Sequence, residues 1–312
     1  MFFGKFNLYF ARMAWHLKLA SFIFSNLVTI MAWGQGNAPF ASGHAKGKIT
    51  ATEINEASGL VASSKNPGFL WTHNDSGDAA RIFLIDDSAR LKATYYLQGV
   101  NARDWEDIGT MERSGRSYLL IADIGDNKSH HPCIKVHMLE EPVATGATAR
   151  VDTIPETSIA TFVLKYENGP RDAESLFFDP IDKYLYLISK RELHAGIYRT
   201  VLPEMPTDTL VLMRVGAIPY TFITSADIRA DGMEILIKNL LDVFYWQRKP
   251  GESVPDALNR PPTRLPYSPE PQGEAIAFSR TGHGYYTLSE AVLGLNAILY
   301  FYRRQVLITE KN

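Results

Sequence analysis

The stretch Asp172–Leu176 (DAESL) decides the fold, because it opens a series of segments that recurs along the chain. After a turn come Tyr184–Ser189 (YLYLIS), Gly196–Thr200 (GIYRT) and a fourth apolar segment over Thr209–Val215. Runs rich in β-branched and aromatic residues, bounded by Gly, Pro, Asn and Asp, are typical of β-strands. The unit therefore predicts four strands.

Four further segments align with this stretch, at intervals of 48 to 68 residues: Glu56–Leu60 (EASGL), Asp104–Ile108 (DWEDI), Thr224–Ile228 (TSADI) and Gln272–Ile276 (QGEAI). Four strands in a unit of about 45–50 residues is the pattern of a β-propeller. We therefore predict an all-β fold, a β-propeller of five four-stranded blades. A β-sandwich is the second choice, but it would not explain an acidic motif at near-regular intervals.

The last unit is short, because the 41 residues from Gln272 to the end suffice for only three strands. We expect the missing outer strand from Lys48–Glu53 (KITATE), near the start of the chain. This N-terminal strand would close the ring and remove an exposed sheet edge. The second unit carries a polar, Pro-containing insert around Glu140–Glu156, which leaves a six-bladed ring as the alternative.

Residues 1–34 are typical of a signal peptide. Their only formal charges are Lys5, Arg12 and Lys18, and the apolar run Leu19–Trp33 follows. That run is shorter than the roughly 20 residues of a membrane-spanning helix, and Ala32-Trp33-Gly34 fits a small-x-small cleavage site. An uncleaved N-terminal anchor is the alternative. We predict a signal peptide over 1–34, a short linker over 35–46 and a single propeller domain over 47–312.

The composition supports an exported globular protein, periplasmic or secreted. The 312 residues are 46% hydrophobic and 21% charged, with a net charge of −2 that becomes −5 once the three basic residues of the leader are removed. This acidic balance argues against a nucleic-acid partner. The single cysteine, Cys133, can form neither an internal disulfide nor a Cys-based zinc site. We expect a monomer with no stable membrane span after cleavage.

The repeated acids predict a metal site. The first strand of each propeller blade lines the central channel, and side chains two apart on a strand share a face. Six carboxylates are therefore expected to converge: Glu56, Asp104, Glu106, Asp172, Glu174 and Glu274. Like charges raise each other's pKa, and a hard cation held by oxygen ligands, best Ca²⁺, would compensate them. Two alternatives remain: lysines could balance the acids, or the acids could bind their own backbone in turns.

A second group of polar residues lies where the second strands end, around the same mouth. We predict that this group binds a small-molecule or surface ligand through Asn74, Asp126, Asn127, Lys190, Lys238 and Glu290. The segment Asp123–Asn127 (DIGDN) suits a cation or substrate loop or a tight turn, although it lacks the spacing of an EF-hand. His73 and Asp75 are the candidates for acid/base catalysis, with simple hydrogen bonding as the alternative for the histidine.

Seven stretches resemble a group of exported bacterial β-propeller proteins of poorly defined function, which is similar in turn to the SdiA-regulated and phytase-esterase-like propellers. These stretches are Glu56–Leu60, Trp71–Gly77 (WTHNDSG), Asp104–Asp107, Asp123–Asn127, Asp172–Glu174, Tyr186–Lys190 and Gln272–Ala275. The resemblance extends over residues 50–305 and implies a propeller with a polar, calcium-binding channel. Thr224–Ile228 departs from the pattern, with Ala226 where most other units have Glu.

Two functions fit these features. The first is a metal-dependent hydrolase of an ester, a lactone or a phosphoester, in which a cation polarises the scissile oxygen or activates water. The second is a non-catalytic propeller that binds a ligand or a protein and uses the cation for structure. The fold alone does not choose between them. An open coordination position beside a base would favour the hydrolase.

Overall fold

The computed structural model describes residues 38–144, 150–291 and 295–305. The predicted signal peptide over 1–34 lies outside these residues, as does the start of the predicted linker. The described residues are almost entirely strand, with one short helix, α1 (Val254–Leu258), and a 3₁₀ turn over Glu156–Ser158. None of the helices in this part of the chain is long and apolar enough to cross a membrane.

The strands of the described residues follow one another along the chain. In order, they are β1 (His44–Lys48), β2 (Ala57–Ala62), β3 (Phe69–Asn74), β4 (Arg81–Asp86), β5 (Leu91–Leu97), β6 (Trp105–Arg113), β7 (Arg116–Asp123), β8 (Ile134–Glu140), β9 (Arg150–Ile154), β10 (Ile159–Tyr166), β11 (Ala173–Phe178), β12 (Tyr184–Ser189), β13 (Ala195–Val201), β14 (Leu210–Ile218), β15 (Ile223–Ile228), β16 (Glu234–Asn239), β17 (Val243–Gln247), β18 (Thr263–Leu265), β19 (Gly273–Phe278), β20 (Gly284–Ser289) and β21 (Ile298–Arg303).

Most of these strands form antiparallel groups of four, each starting with a strand of the repeated motif. The groups are β2 to β5; β6, β7, β8 and β10; β11 to β14; β15 to β18; and β19 to β21 with β1. The five first strands lie side by side in a ring, and β19 returns to pack beside β2. The predicted all-β propeller is therefore confirmed, with the first strands around the central axis.

The ring is closed by an N-terminal strand, as predicted, but the strand lies earlier in the chain. β1 pairs antiparallel with β21, with His44 opposite Phe301 and Lys48 opposite Ile298. The expected segment Lys48–Glu53 follows this strand instead of forming it. A search for apolar runs does not detect β1, because its sequence is polar. Its side chains are exposed or half-buried.

The chain joins the core even before β1. Phe40 is buried, and its ring meets those of Tyr245 and Tyr285 edge to face, with centroids 5.6 and 5.0 Å apart. These two tyrosines belong to the fourth and fifth groups of strands. The end of the stretch expected as a linker therefore packs into the propeller.

The insert of the second unit adds an outer strand to the first group. β9 pairs parallel with β5, and β10 pairs parallel with β14, which joins the second and third groups. β9 is mostly exposed, and Val151 retains 72% of its accessible surface. Within the described residues, the insert thus supplies one strand rather than a further four-stranded blade.

Each first strand carries a β-bulge near its start. In β6, β11 and β19 the bulged residue is a glutamate, respectively Glu106, Glu174 and Glu274. In β15 the register shifts between Ile223 and Ser225, so the bulged residue is Thr224. The alignment of Ala226 with the glutamates is therefore wrong by two residues. In the corrected alignment Phe222 occupies the position at which two other units have Asp. This unit therefore has no acidic residue there from which its alignment could be recognised in the sequence.

The core lies between neighbouring blades, and side chains of the first strands also bond the next first strand. Trp71, Trp105 and Trp246 are buried and fill the core as predicted. The cross-strand bonds run from Ser58 Oγ to the Glu106 carbonyl (3.0 Å), from the Leu176 amide to Asp107 (2.9 Å) and from the Phe278 amide to Asp227 (2.7 Å). These bonds hold the ring together around the axis.

The packing of Phe40 predicts a large effect of its truncation. We expect Phe40→Ala to lower the free energy of unfolding by about 3–5 kcal/mol, since it removes a buried aromatic ring from between two blades. Leu193→Ala, at a side chain 84% exposed, is the control and should change stability by less than about 0.5 kcal/mol. Urea denaturation measures both, and equal stability of the two variants would contradict the role of Phe40 in closure.

Candidate functional site

Carboxylates gather at the end of the channel where the first strands begin. Asp104 and Asp172 directly precede β6 and β11, and the bulged glutamates follow two residues later. The turns after β3 and β20 add two more acids to the same end. In all, the gathered carboxylates are Asp75, Asp104, Glu106, Asp172, Glu174, Glu274 and Glu290. A bulge re-aims the side chain it carries, which is how the strands bring their glutamates to this site.

The described carboxylates form three overlapping groups, and within each group the ligand oxygens lie within 4.8 Å of one another. The groups are Asp75–Asp104–Glu106, Glu106–Asp172–Glu174 and Asp75–Glu274–Glu290. Glu106 and Asp75 each belong to two groups. The Glu106–Asp172–Glu174 group is fully buried, whereas Asp75 and Asp104 are half-buried and face the mouth.

Basic side chains neutralise only part of this charge. Lys190 pairs with Glu174, and Arg191 Nε lies 2.6 Å from Asp172 Oδ2. In the described part of the chain, no lysine or arginine forms an ion pair with the Asp75–Asp104–Glu106 group. Lys190 and Arg103 therefore act on this group only through longer-range attraction, without a direct ion pair.

The crowding shifts the pKa values in the expected directions. Burial, followed by the charge of Asp75, raises the pKa of Asp104 to about 6. Burial and the neighbouring Glu174 raise the pKa of Glu106 well above its ordinary value. Burial lowers the pKa of Lys190, but the Glu174 carboxylate outweighs it and the net shift is upward. Lys190 is thus a cation at neutral pH, while the carboxylates are poised to bind protons or a metal ion.

Glu290 and Glu274 share a proton. Burial, then the charge of Glu274, raises the pKa of Glu290 to about 8, so the carboxyl group is largely protonated at neutral pH and donates to Glu274. The side-chain amide of Gln272 donates to Glu290 Oε2 at 2.8 Å and fixes the group. This pair therefore holds a hydrogen bond where two bare carboxylates would repel.

The segment Asp123–Asn127 covers the carboxylates. The Gly125 amide donates to the carbonyl of Asp104 at 3.2 Å. A Cβ atom on Gly125 would overlap the carboxylates of both Asp104 and Glu106, so only glycine lets the loop approach so closely. The loop thus packs directly on the half-buried Asp104 and on the buried Glu106.

The polar residues of this segment have different roles. The Asp126 carboxylate accepts the backbone amides of His130 and His131 at 2.9 and 2.8 Å, which closes the loop on itself. Asn127 is exposed, and its side-chain oxygen accepts from Arg191. Asp126 is therefore occupied by the loop, whereas Asn127 is free to meet a ligand at the rim.

His73 is sealed from solvent. Its ring is fully buried and stands edge to face on Trp105, with centroids 5.7 Å apart. Nδ1 lies 2.8 Å from the carbonyl of Asn74, and Nε2 has no hydrogen-bond partner among the described residues. Burial lowers the pKa of His73 to about 4, so the ring is neutral. The structure does not bring His73 into the carboxylate groups, and its burial argues against the predicted acid/base role.

Three other predicted site residues also lie apart from these groups. The buried Asn74 amide donates to Asp78 Oδ2 at 2.7 Å and holds a loop. Glu56 is exposed and joins none of the carboxylate groups found in the described residues. Lys238 is fully buried, donates to the carbonyl of Gly273, and has its pKa lowered to about 8 by burial. The channel mouth therefore involves fewer of the predicted residues than the sequence indicates.

Sequence reasoning missed two residues of the site. Arg191 binds both Asp172 and Asn127. Its position next to Lys190, at the end of a strand, is the feature of the sequence that could have indicated it. Nothing in the sequence singles out Gly125 beyond its place inside an acidic turn. Glycine is needed at this position because of the acids that the ring places beneath the loop, and these are known only from the structure.

Comparisons with known proteins add little to this description. No protein-family model matches the chain, and no curated protein matches it. Among solved structures, a luciferin-regenerating enzyme is similar, with a TM-score of 0.43 and 11% sequence identity over 82% of this chain and 94% of that one. The resemblance to exported bacterial propellers stays a prediction.

The raised carboxyl pKa values predict a pH dependence of stability. Asp104 rises from an ordinary 3.8 to about 6 and Glu290 from 4.5 to about 8, so the folded state binds more protons than the unfolded state between these limits. With a chelator present, the free energy of unfolding should therefore fall as pH rises from about 5 to 8.

Urea denaturation at several pH values measures this slope. The double variant Asp104→Asn, Glu290→Gln lacks both titrating groups and should show a shallower fall. A wild-type stability that stays level or rises relative to the double variant would show that these carboxylates are not crowded in solution.

Proposed function

We propose that the channel mouth binds a divalent cation, best Ca²⁺, through Asp75, Asp104 and Glu106. The observation that carries this proposal is a group of carboxylates with oxygens within 4.8 Å of one another and no direct ion pair to a lysine or arginine among the described residues. An all-oxygen donor set suits a hard cation, and calcium takes about six to eight oxygen ligands. Three carboxylates leave positions for water or a ligand, which supports an open site.

The other two groups are less suited to a cation. Lys190 and Arg191 already occupy the Glu106–Asp172–Glu174 group. The Asp75–Glu274–Glu290 group holds a proton at neutral pH. The loop at Gly125 packs directly against Asp104 and Glu106, so a cation bound there would be reached from the side of the half-buried Asp75.

We further propose that this site hydrolyses a neutral ester or lactone. A bound divalent cation would supply Lewis-acid polarisation of the scissile oxygen and a more acidic water. Glu290 is half-buried at the same mouth, and its protonated carboxyl group is placed to donate a proton to the leaving oxygen. This transfer would use the proton that Glu290 otherwise shares with Glu274, so water would have to return a proton to the pair after each turnover. The acidic surroundings disfavour a phosphoester, since its charge would be repelled.

The rim of the mouth supports a substrate with an apolar part. Leu193, Phe222 and Leu241 are 84%, 47% and 71% exposed. The Phe222 amide donates to the carbonyl of Lys190 at 2.7 Å, and Lys190 in turn pairs with Glu174. Phe222 is thus linked to the carboxylate site through the backbone of Lys190.

The second candidate is a ligand- or protein-binding propeller with a structural cation. Exposed apolar side chains at a rim are also typical of a surface that binds a partner. Catalysis distinguishes the two functions, because both require the cation site.

The cation site predicts the effect of one substitution. Glu106→Gln should weaken calcium binding at least about tenfold, which is about 1.4 kcal/mol, because Glu106 belongs to two carboxylate groups. Glu112→Gln, at an exposed acid toward the other end of β6, is the matched control and should bind like the wild type. Isothermal titration with calcium chloride measures both affinities. Equal affinities of the two variants would refute the site.

The hydrolase proposal predicts calcium-dependent cleavage of a short-chain p-nitrophenyl ester or a lactone, and little cleavage of p-nitrophenyl phosphate. Glu290→Gln should lower kcat by about 10²–10⁴-fold, because it removes the proton donor, while calcium affinity is retained. Product release followed by absorbance measures the rate. A protein that binds calcium but cleaves none of these substrates would favour the binding propeller.

A further inference from the structure

A cavity lies at the opposite end of the channel, where the first strands finish. It has a volume of about 90 Å³ and lies among the ends of β6, β11 and β15, with Gly109, Phe177 and Asp227 in its lining. A cavity of this size has room for several water molecules or for a small polar group. Nothing in the carboxylate site reaches it.

Three basic residues line this cavity, and they come from three consecutive blades. They are Lys183 in the turn before β12, Arg229 after β15 and Arg280 after β19. Three basic side chains thus converge on one small cavity, whereas carboxylates converge at the other mouth of the channel. The two ends of the channel therefore differ in that this one brings basic side chains together, alongside the carboxylates of Glu112 and Asp227.

The turn that carries Lys183 is rigidly held. Asp179 and Arg248 form a fully buried ion pair, with Oδ2 and Nη1 2.8 Å apart. The same Asp179 accepts the Ile181 amide at 2.9 Å through its side chain and the Lys183 amide at 3.0 Å through its carbonyl. No carboxylate of the described residues pairs with the Lys183 ammonium group. The backbone of Lys183 is thus held beside the cavity, while its exposed side chain is available to a ligand.

The two arginines keep donors available for a ligand. Arg229 is held by two carboxylates: Nε lies 2.8 Å from Asp231 Oδ1, Nη2 also pairs with Asp231, and Nη1 lies 2.7 Å from Glu234 Oε1. Arg280 Nη2 pairs with Glu112, which itself lines the cavity. A guanidinium group has five N–H donors, so such pairs leave others free.

The carboxylate of Asp227, which also lines the cavity, is committed to the backbone. Its oxygens accept the amides of Ile228 at 2.8 Å and Phe278 at 2.7 Å. Asp227 is therefore not positioned as a free competitor for the cations.

We propose that this cavity is a second ligand site, which binds a small oxyanion, a carboxylate or phosphate group, through Lys183, Arg229 and Arg280. The guanidinium groups match the planar or tetrahedral oxygens of such a group, and the ammonium group adds a point charge. The site is independent of the cation site, because the two share no residue.

Titration calorimetry with sodium phosphate and with sodium acetate, against sodium chloride of equal ionic strength, tests the proposal. At least one oxyanion should bind saturably to the wild type. Lys183→Gln should weaken its binding at least tenfold, while Lys165→Gln, at an exposed lysine of β10, should leave it unchanged. Glu106→Gln should also leave it unchanged, which separates this site from the calcium site.

The comparison of the two anions identifies the ligand class. Stronger phosphate binding assigns a phosphate group, and stronger acetate binding assigns a carboxylate. Arg280→Gln, with its fold checked by circular dichroism, gives a second test and should weaken the same anion. Absence of saturable binding, or equal binding by Lys183→Gln and Lys165→Gln, would overturn the proposal.

Discussion

The structure depends on a chain of buried polar contacts around the axis, which starts at Asp107. This carboxylate accepts the Leu176 amide of the next blade at 2.9 Å and the Ser225 hydroxyl of the blade after it at 3.3 Å. Ser225 Oγ in turn accepts the Ile276 amide at 3.3 Å. Four first strands are thus linked without a disulfide. Burial raises the pKa of Asp107 well above its ordinary value, so these bonds have to offset a substantial desolvation cost.

The same ring also crowds carboxylates together at its entrance. Once the first strands are held side by side, the bulged glutamates and the acids before them have little room to separate. Lys190 and Arg191 relieve one part of this crowding, and a proton on Glu290 relieves another. Asp75, Asp104 and Glu106 have no such direct relief among the described residues, which is why we propose the cation at this position rather than elsewhere.

The two ends of the channel are built from the same strands but differ in composition, since three basic side chains line the far cavity, whereas Lys190 and Arg191 join the acids at the entrance. At the entrance the acids come from strand starts and from the turns between second and third strands. At the far end Lys183, Arg229 and Arg280 come from the turns between first and second strands. A propeller permits this division because its turns at one end vary independently of those at the other. Two ligands of opposite charge are therefore compatible with one ring.

The sequence by itself determined the strand-rich repeat, the closure by an N-terminal strand and the gathering of Asp104, Glu106, Asp172, Glu174 and Glu274 at one end. Local patterns carry these features, because strand propensity and repeat spacing act along the chain. Only the tertiary structure decided that Thr224 occupies the bulge of β15, since a register shift depends on the partner strand. It also decided that His73 and Lys238 are buried and that Glu56 stands apart. Burial and charge compensation arise between blades, and residues distant in sequence, such as Asp75 and Glu106, meet only when the ring has closed.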